Sequence, residues 1–163
     1  MSTIHSLIAA WQFNRTRTLA LLDSIEQEAD PQKVLAWRPG RGRAHIGWQL
    51  THIAITEEML ACERLERIKE SSYRELFPRF RGGSTPDDDV PSASFIRELL
   101  EQSRAHLIDT VTQFTDKDLG WIPAEFKARN LALLDILHII TWHEGHHQGQ
   151  AHITFNLFKA QQS

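Results

Sequence analysis

At 163 residues, 41% hydrophobic and 24% charged, the chain has the composition of an ordinary soluble protein and the length for one domain, residues 1–163, with a real core. Its net charge of −3 gives no global field that favours nucleic acid, and the single cysteine, Cys62, excludes an intramolecular disulfide framework and fits a reducing, cytoplasmic compartment. No apolar run approaches the ~20 residues of a membrane span, and no basic residue precedes the apolar stretch 4–10 as a signal peptide requires.

Residues 4–29 read as a first helix, with Ile4, Leu7, Ile8, Trp11, Thr18, Leu21, Leu22 and Ile25 on one stripe. Pro31 is its expected stop, and residues 31–43, with Trp37, Pro39, Gly40 and Gly42, read as an irregular loop. A second helix is expected from about Ala44 to about Ser71, because Trp48, His52, Ile55, Met59 and Cys62 recur at four-three-four-three spacing. Residues 72–91 carry no periodicity and lead through Arg79, Arg81, Gly82 and Gly83 into three aspartates, Asp87 to Asp89. A connection of this length points to a functional loop, and the aspartates read as a solvated turn rather than a calcium loop.

The third helix, about Ser92 to Thr115, places Ile96, Leu99, Leu100, Ser103, Leu107, Val111 and Phe114 on one face, with His106 off it at the surface. After a second irregular connection, 116–129, the fourth helix starts near Asn130 as N-cap and runs to about Phe158. The two halves echo each other: Leu35-Ala36-Trp37-Arg38-Pro39 matches Leu119-Gly120-Trp121-Ile122-Pro123, and Thr51-His52-Ile53 matches Leu137-His138-Ile139. Such a pseudo-repeat of helical hairpins packs naturally as an all-α four-helix bundle, with the two histidine-bearing helices able to face each other.

On the fourth helix His143 and His147 stand one turn apart on one face, the spacing by which a helix offers two imidazoles to one metal ion. That face continues through Ile136, Ile140, Ala151, Thr154 and Phe158, so the imidazoles are aimed at a core and need partners. His52, centred on the stripe of the second helix, is the third imidazole this pair lacks. The three are therefore expected to converge within about 4 Å on one metal ion. Gln150, three residues after His147, can hydrogen bond behind the ligands. His138 lies about 140° round the helix from His143 and reads as a packing or supporting residue. Gly145 and Gly149 lower helix stability relative to alanine, which points to something packed close against them. Glu57, Glu58 and Glu144 lie off the ligand faces and read as solvated, so no catalytic residue is identified.

The chain resembles the DinB family over nearly its whole length. The resemblance rests on Gly47-Trp48-Gln49-Leu50-Thr51-His52-Ile53-Ala54 and on the run from His138 to Gln150, whose His-x-x-x-His-x-Gly-Gln ending is its most specific part. Gln148 stands where the family usually has arginine. The resemblance implies a bundle in up-down-down-up order with a long crossover between helices 2 and 3, frequent assembly as a homodimer, and one divalent metal on His52, His143 and His147. It also implies, for some relatives, thiol-dependent transfer using low-molecular-weight thiols.

Three histidines leave a coordination position open, the layout of catalytic rather than structural zinc sites. Such an ion acidifies a bound water or thiol, which points to a metal-dependent hydrolase or thiol S-transferase acting on a small molecule. The alternatives are a non-catalytic metal-binding bundle serving as sensor, store or interaction module, and a plain helical domain whose histidines only pack. Imidazoles suit zinc or nickel first, and iron or copper as well. No nucleic-acid or membrane partner is expected. The crossover is expected to border the metal pocket and to offer Arg79 or Arg81 to an anionic substrate or thiol cofactor.

Overall fold

Four long helices carry the molecule, and local chemistry sets where each begins. The computed structural model describes residues 2–65 and 70–162. Helix α1 (Thr3–Glu26) starts where the Ser2 hydroxyl accepts the His5 N–H. Its buried face is the expected stripe with one addition, Arg15. Helix α2 (Pro31–Ala36) corrects the reading of 31–43 as wholly irregular: Asp30 caps it, Pro31 occupies its first turn, and it buries Val34 and Leu35. Proline tolerates a first helical turn as readily as it ends a preceding helix, so the same residue does both here.

Helix α3 (Ile46–Met59) is capped by His45, whose Nδ1 accepts the Trp48 N–H at 3.0 Å while its Nε2–H donates to the Asp87 carbonyl. It continues as a π-helical turn, Leu60–Leu65. The end expected near Ser71 falls partly on residues 66–69, outside the described residues, and Glu70 and Ser71 are not helical. The crossover is more ordered than its lack of periodicity implies. A 3-10 turn, Arg74–Leu76, runs into helix α4 (Phe77–Phe80), and Phe77 and Phe80 are buried. Two aromatics anchor this segment, a signal too sparse to register as a period.

Helix α5 (Ala93–Val111) is capped by Ser92. Two further 3-10 turns, Asp116–Asp118 and Ala124–Arg129, precede helix α6 (Leu133–Ala160). Asn130 is not its N-cap; it takes the left-handed conformation at φ 51° that ends the preceding turn. The carboxylate of Asp135 instead accepts the Ala132 N–H at 2.9 Å.

Helix is the one regular secondary structure among the described residues, with no strand among them. Helix α3 lies between α5 and α6, and α1 lies against α6 and α5. No helix among the described residues is long and apolar enough to cross a membrane. The apolar core has two parts. One gathers Leu22, Ile25, Leu50, Ile53, Leu99 and Phe155. The other gathers Trp11, Leu60, Leu107, Val111, Ile136 and Leu137.

Between the two parts, each long helix contributes one buried charge to a shared cluster: Arg15 on α1, Glu57 on α3, Arg104 on α5 and Glu144 on α6. They close a ring. Arg15 reaches Glu57 at 2.9 Å and Glu144 at 2.7 Å, and Arg104 reaches the same two carboxylates at 2.5 Å each. Thr18 also donates to Glu144, Nη1 of Arg104 donates to the Trp11 carbonyl and Nη1 of Arg15 to the Leu100 carbonyl. Glu57 and Glu144 are therefore not solvated, as their positions off the ligand faces had implied. Each is 1% exposed, and the arginine that makes this possible comes from a helix far away in sequence. Glu58 is buried too, against His106 at 3.0 Å, so His106 is half-buried rather than at the surface.

Candidate metal centre

The same layer brings α3 and α6 together at their histidines. His52 is 5% exposed, and His143 and His147 are half-buried. The Nε2 atoms of His52 and His143 lie 3.0 Å apart, and one ligand nitrogen from each of the three rings falls within 4.8 Å of the others. That is slightly looser than the expected 4 Å. Nitrogens on one tetrahedral ion at ~2.1 Å stand about 3.4 Å apart, so a small closure brings all three onto it.

The hydrogen bonds behind the rings decide which nitrogens are available. The Phe80 carbonyl can only accept, so His52 must place its proton on Nδ1, which donates at 2.5 Å. Likewise the Nδ1–H of His147 donates to Oε1 of Gln49 at 2.5 Å. Both rings therefore turn a bare Nε2 lone pair toward the common point. This orientation of ligand imidazoles by a carbonyl or amide oxygen is typical of metal-binding histidines. With His52 bare at Nε2, only a proton carried by His143 or a cation between the rings relieves the approach of two lone pairs at 3.0 Å.

Burial reinforces neutrality. It pushes the pKa of His52 below the usual 6.5, although the Phe80 carbonyl acts in the opposite direction. Burial, with the nearby His52, takes His143 down to about 4, and burial with His143 and His52 takes His147 down to about 3. All three are neutral at pH 7, the form a metal requires. A pH dependence follows. Well above pH 6.5 these histidines are neutral whether the chain is folded or not. Below it the unfolded chain takes up protons that the folded, metal-free chain refuses, so stability falls from pH 6.5 toward pH 4. Denaturant midpoints of metal-free protein at pH 7.5 and 5.5 are expected to show this loss. Equal midpoints would mean that the rings are more solvated than their burial implies.

The surroundings tie the crossover to the site. The Trp48 indole stacks on His52, centroids 4.6 Å apart and 13° from parallel. Its Nε1–H donates to the Arg79 carbonyl and to Ser84 Oγ, at 3.2 and 3.3 Å. Gly47 is needed here: a Cβ would stand 2.5 Å from Cγ1 of Val90, at the far end of the crossover. Over the histidines lies a cavity of about 650 Å³ lined also by Thr56, Met59, Arg64, Arg81 and Ser84.

The crossover thus borders the site as expected, and Arg81 lines it. Arg79 does not; it is held by Asp87 at 2.9 Å and Asp89 at 3.0 Å. Gln150 is exposed, and its amide meets His146, four residues back, at 2.9 Å rather than a member of the triad. Helical spacing of four wins over three here, and Gln49 from the other helix supports His147 instead. His138 is exposed rather than packed, and nothing approaches a Cβ placed on Gly145 or Gly149 within 4 Å, so those glycines accommodate no close neighbour.

Gln49 and the Phe80 carbonyl were missed in the sequence. Gln49 is three residues before His52, hence on its side of α3, a signal that could have been used. A backbone carbonyl from α4 leaves none.

Three histidines gathered this way fit a metal-binding site. No curated protein matches the chain. A family model described as the DinB superfamily matches residues 10–151, a span that includes all three histidines, Gln49 and the four charges of the buried ring, and the chain belongs to that superfamily.

Proposed function

We propose that the protein holds one divalent metal ion, zinc or nickel before iron or copper, on His52, His143 and His147 and is a metal-dependent enzyme acting on a small molecule. The observation that carries this reading is the pairing of three converging, neutral imidazoles with a cavity of about 650 Å³ above them. No fourth cysteine, histidine or carboxylate joins the cluster among the described residues, so an ion held there would keep a coordination position for a ligand from that cavity. When bound, the ion supplies a positive charge that lowers the pKa of a water or thiol held against it.

The chain's own residues supply orientation. Gln49 and the Phe80 carbonyl fix the rings of His147 and His52, and Trp48 walls the site. The chain does not supply the thiol. Cys62 is 3% exposed, and burial pushes its pKa up to about 11. A thiol-transfer reaction therefore uses a low-molecular-weight thiol, and otherwise the reaction is hydrolysis. The second reading, a metal sensor or store without catalysis, is favoured by one observation: among the described residues no carboxylate or lysine lines the cavity to serve as general base.

The proposal extends to the assembly. The four long helices are read as an up-down-down-up bundle crossed by residues 72–91, forming one domain located in the cytoplasm. Ile139, Trp142, Ile153 and Leu157 are exposed on one face of α6, where a homodimer is proposed to close. The test is elemental analysis and light scattering of protein purified without a histidine tag, followed by esterase and thiol-transfer assays with and without metal. About one equivalent of metal, twice the chain mass and metal-dependent turnover are expected. Less than about a tenth of an equivalent after metal reconstitution would overturn the metal reading, and full loading without turnover in either assay would favour the sensor or store.

A further inference from the structure

We infer that the cavity over the triad selects small molecules bearing an oxyanion, a carboxylate or phosphate, and that Arg81 and Arg64 are the residues that read it. This rests on the metal reading above. The cavity lining contains two arginines, three imidazoles and the hydroxyls of Thr56 and Ser84, and among the described residues no carboxylate. That is unusual in a chain with 21 acidic against 18 basic residues.

Several other arginines are neutralised where they stand. Arg79 is neutralised by Asp87 and Asp89, Arg38 by Asp88, Arg97 by Asp23 and Glu26, and Arg15 and Arg104 by the buried ring. Arg81 and Arg64 have no ion-pair partner among the described residues. Arg64 also lines the cavity, its guanidinium 5.8 Å over the Phe126 ring; burial and the nearby Arg129 lower its pKa, against the attraction of Glu63 and Glu125, neither of which pairs with it directly. Arg81 lies on the crossover, one residue from Gly82, whose added Cβ would stand 4.0 Å from the His52 ring.

A ligand reaching the triad would therefore pass between a cation held on the imidazoles and two guanidiniums that form no ion pair among the described residues. Low-dielectric walls focus such a field, and a planar guanidinium matches a carboxylate or phosphate with two parallel hydrogen bonds. A cationic ligand meets repulsion from both ends.

The test uses cobalt(II)-loaded protein, whose visible absorption reports a ligand entering the metal's coordination. The probes are acetohydroxamate, which needs only the metal, and succinic acid monohydroxamate, which adds a carboxylate. The carboxylated probe is expected to bind at least about tenfold tighter, the scale of one charge-assisted contact. Arg81→Ala and Arg64→Met are each expected to reduce that preference, and the double variant to abolish it, with acetohydroxamate affinity unchanged. Arg81→Lys should retain part of it. Arg81 is exposed, and methionine preserves the packing length of Arg64, so both variants are expected to fold; circular dichroism checks this. Equal affinity of the two probes, or a preference that survives the double variant, would overturn the oxyanion assignment alone. Failure to bind cobalt, or a spectrum that acetohydroxamate leaves untouched, would overturn the metal reading and this one with it.

Discussion

Glu57→Ala is expected to remove about 3–5 kcal/mol of folding stability and to lower Tm by roughly 6–20 °C. Glu57 is one of the two carboxylates both arginines share, with Arg15 at 2.9 Å and Arg104 at 2.5 Å. Burial alone would raise its pKa, but the two guanidiniums outweigh burial and hold the carboxyl below the usual range. Removing it leaves two guanidiniums, 6% and 5% exposed, facing only Glu144. The cost is that of uncompensated buried charge, which is larger than the net worth of the ion pairs. A second variant separates the two. Replacing the whole ring with apolar residues of similar volume, Arg15→Met, Glu57→Leu, Arg104→Met and Glu144→Leu, leaves no orphan charge and is expected to keep most of the stability. Denaturant unfolding of both variants checks this. A loss below about 1 kcal/mol for Glu57→Ala would mean that water reaches the ring and screens it.

The ring also shows where reading the sequence stopped. Arg15 lies four residues after Trp11 and three before Thr18, and Arg104 lies four after Leu100 and three before Leu107. Both therefore sit on their helices' apolar stripes. Glu144 stands four after Ile140 and three before His147, so it too belongs to the inward arc. The signal was a charge on the inward arc of every long helix, the four that meet being two of each sign. Taken singly, each residue looks like a solvated exception; only the set of four implies a closed network.

The histidines were legible because they came with geometry. A pair at i, i+4 shares one face of a helix, and His52 had the phase of an apolar stripe. The helices were legible through periodicity, which fades at their ends; this is why α2, α4 and the cap of α6 differ from expectation. Short helices bury too few residues to show a period. Hydrogen bonds from a backbone carbonyl, such as Phe80 to His52, depend on where the chain passes and leave no trace in residue type.

Removing the metal at pH 7.5 with a chelator is expected to lower Tm by roughly 5–10 °C. An ion that binds only the folded state contributes about 2.7 kcal/mol at a hundredfold excess over Kd. A domain of this size gains about 2–4 °C per kcal/mol, which sets the range. The variants test whether that gain passes through the triad. His52→Ala is a poor choice by itself, because it orphans the Phe80 carbonyl and leaves a gap under Trp48, destabilising the protein with or without metal. His143→Gln is better: the ring is half-buried, and glutamine keeps polarity and similar bulk. The informative quantity is then the difference in Tm between metal-loaded and metal-free protein, compared across variants. That difference should fall to near zero in His143→Gln and in His147→Gln, whereas Gln49→Leu should leave a reduced one, since it loosens His147 without removing a ligand. A metal-dependent gain that survives in both histidine variants would place the ion elsewhere on the surface. Verified removal from the unaltered protein with no change in Tm would mean that the ion does not distinguish folded from unfolded chain, which three preoriented imidazoles on two helices cannot be reconciled with.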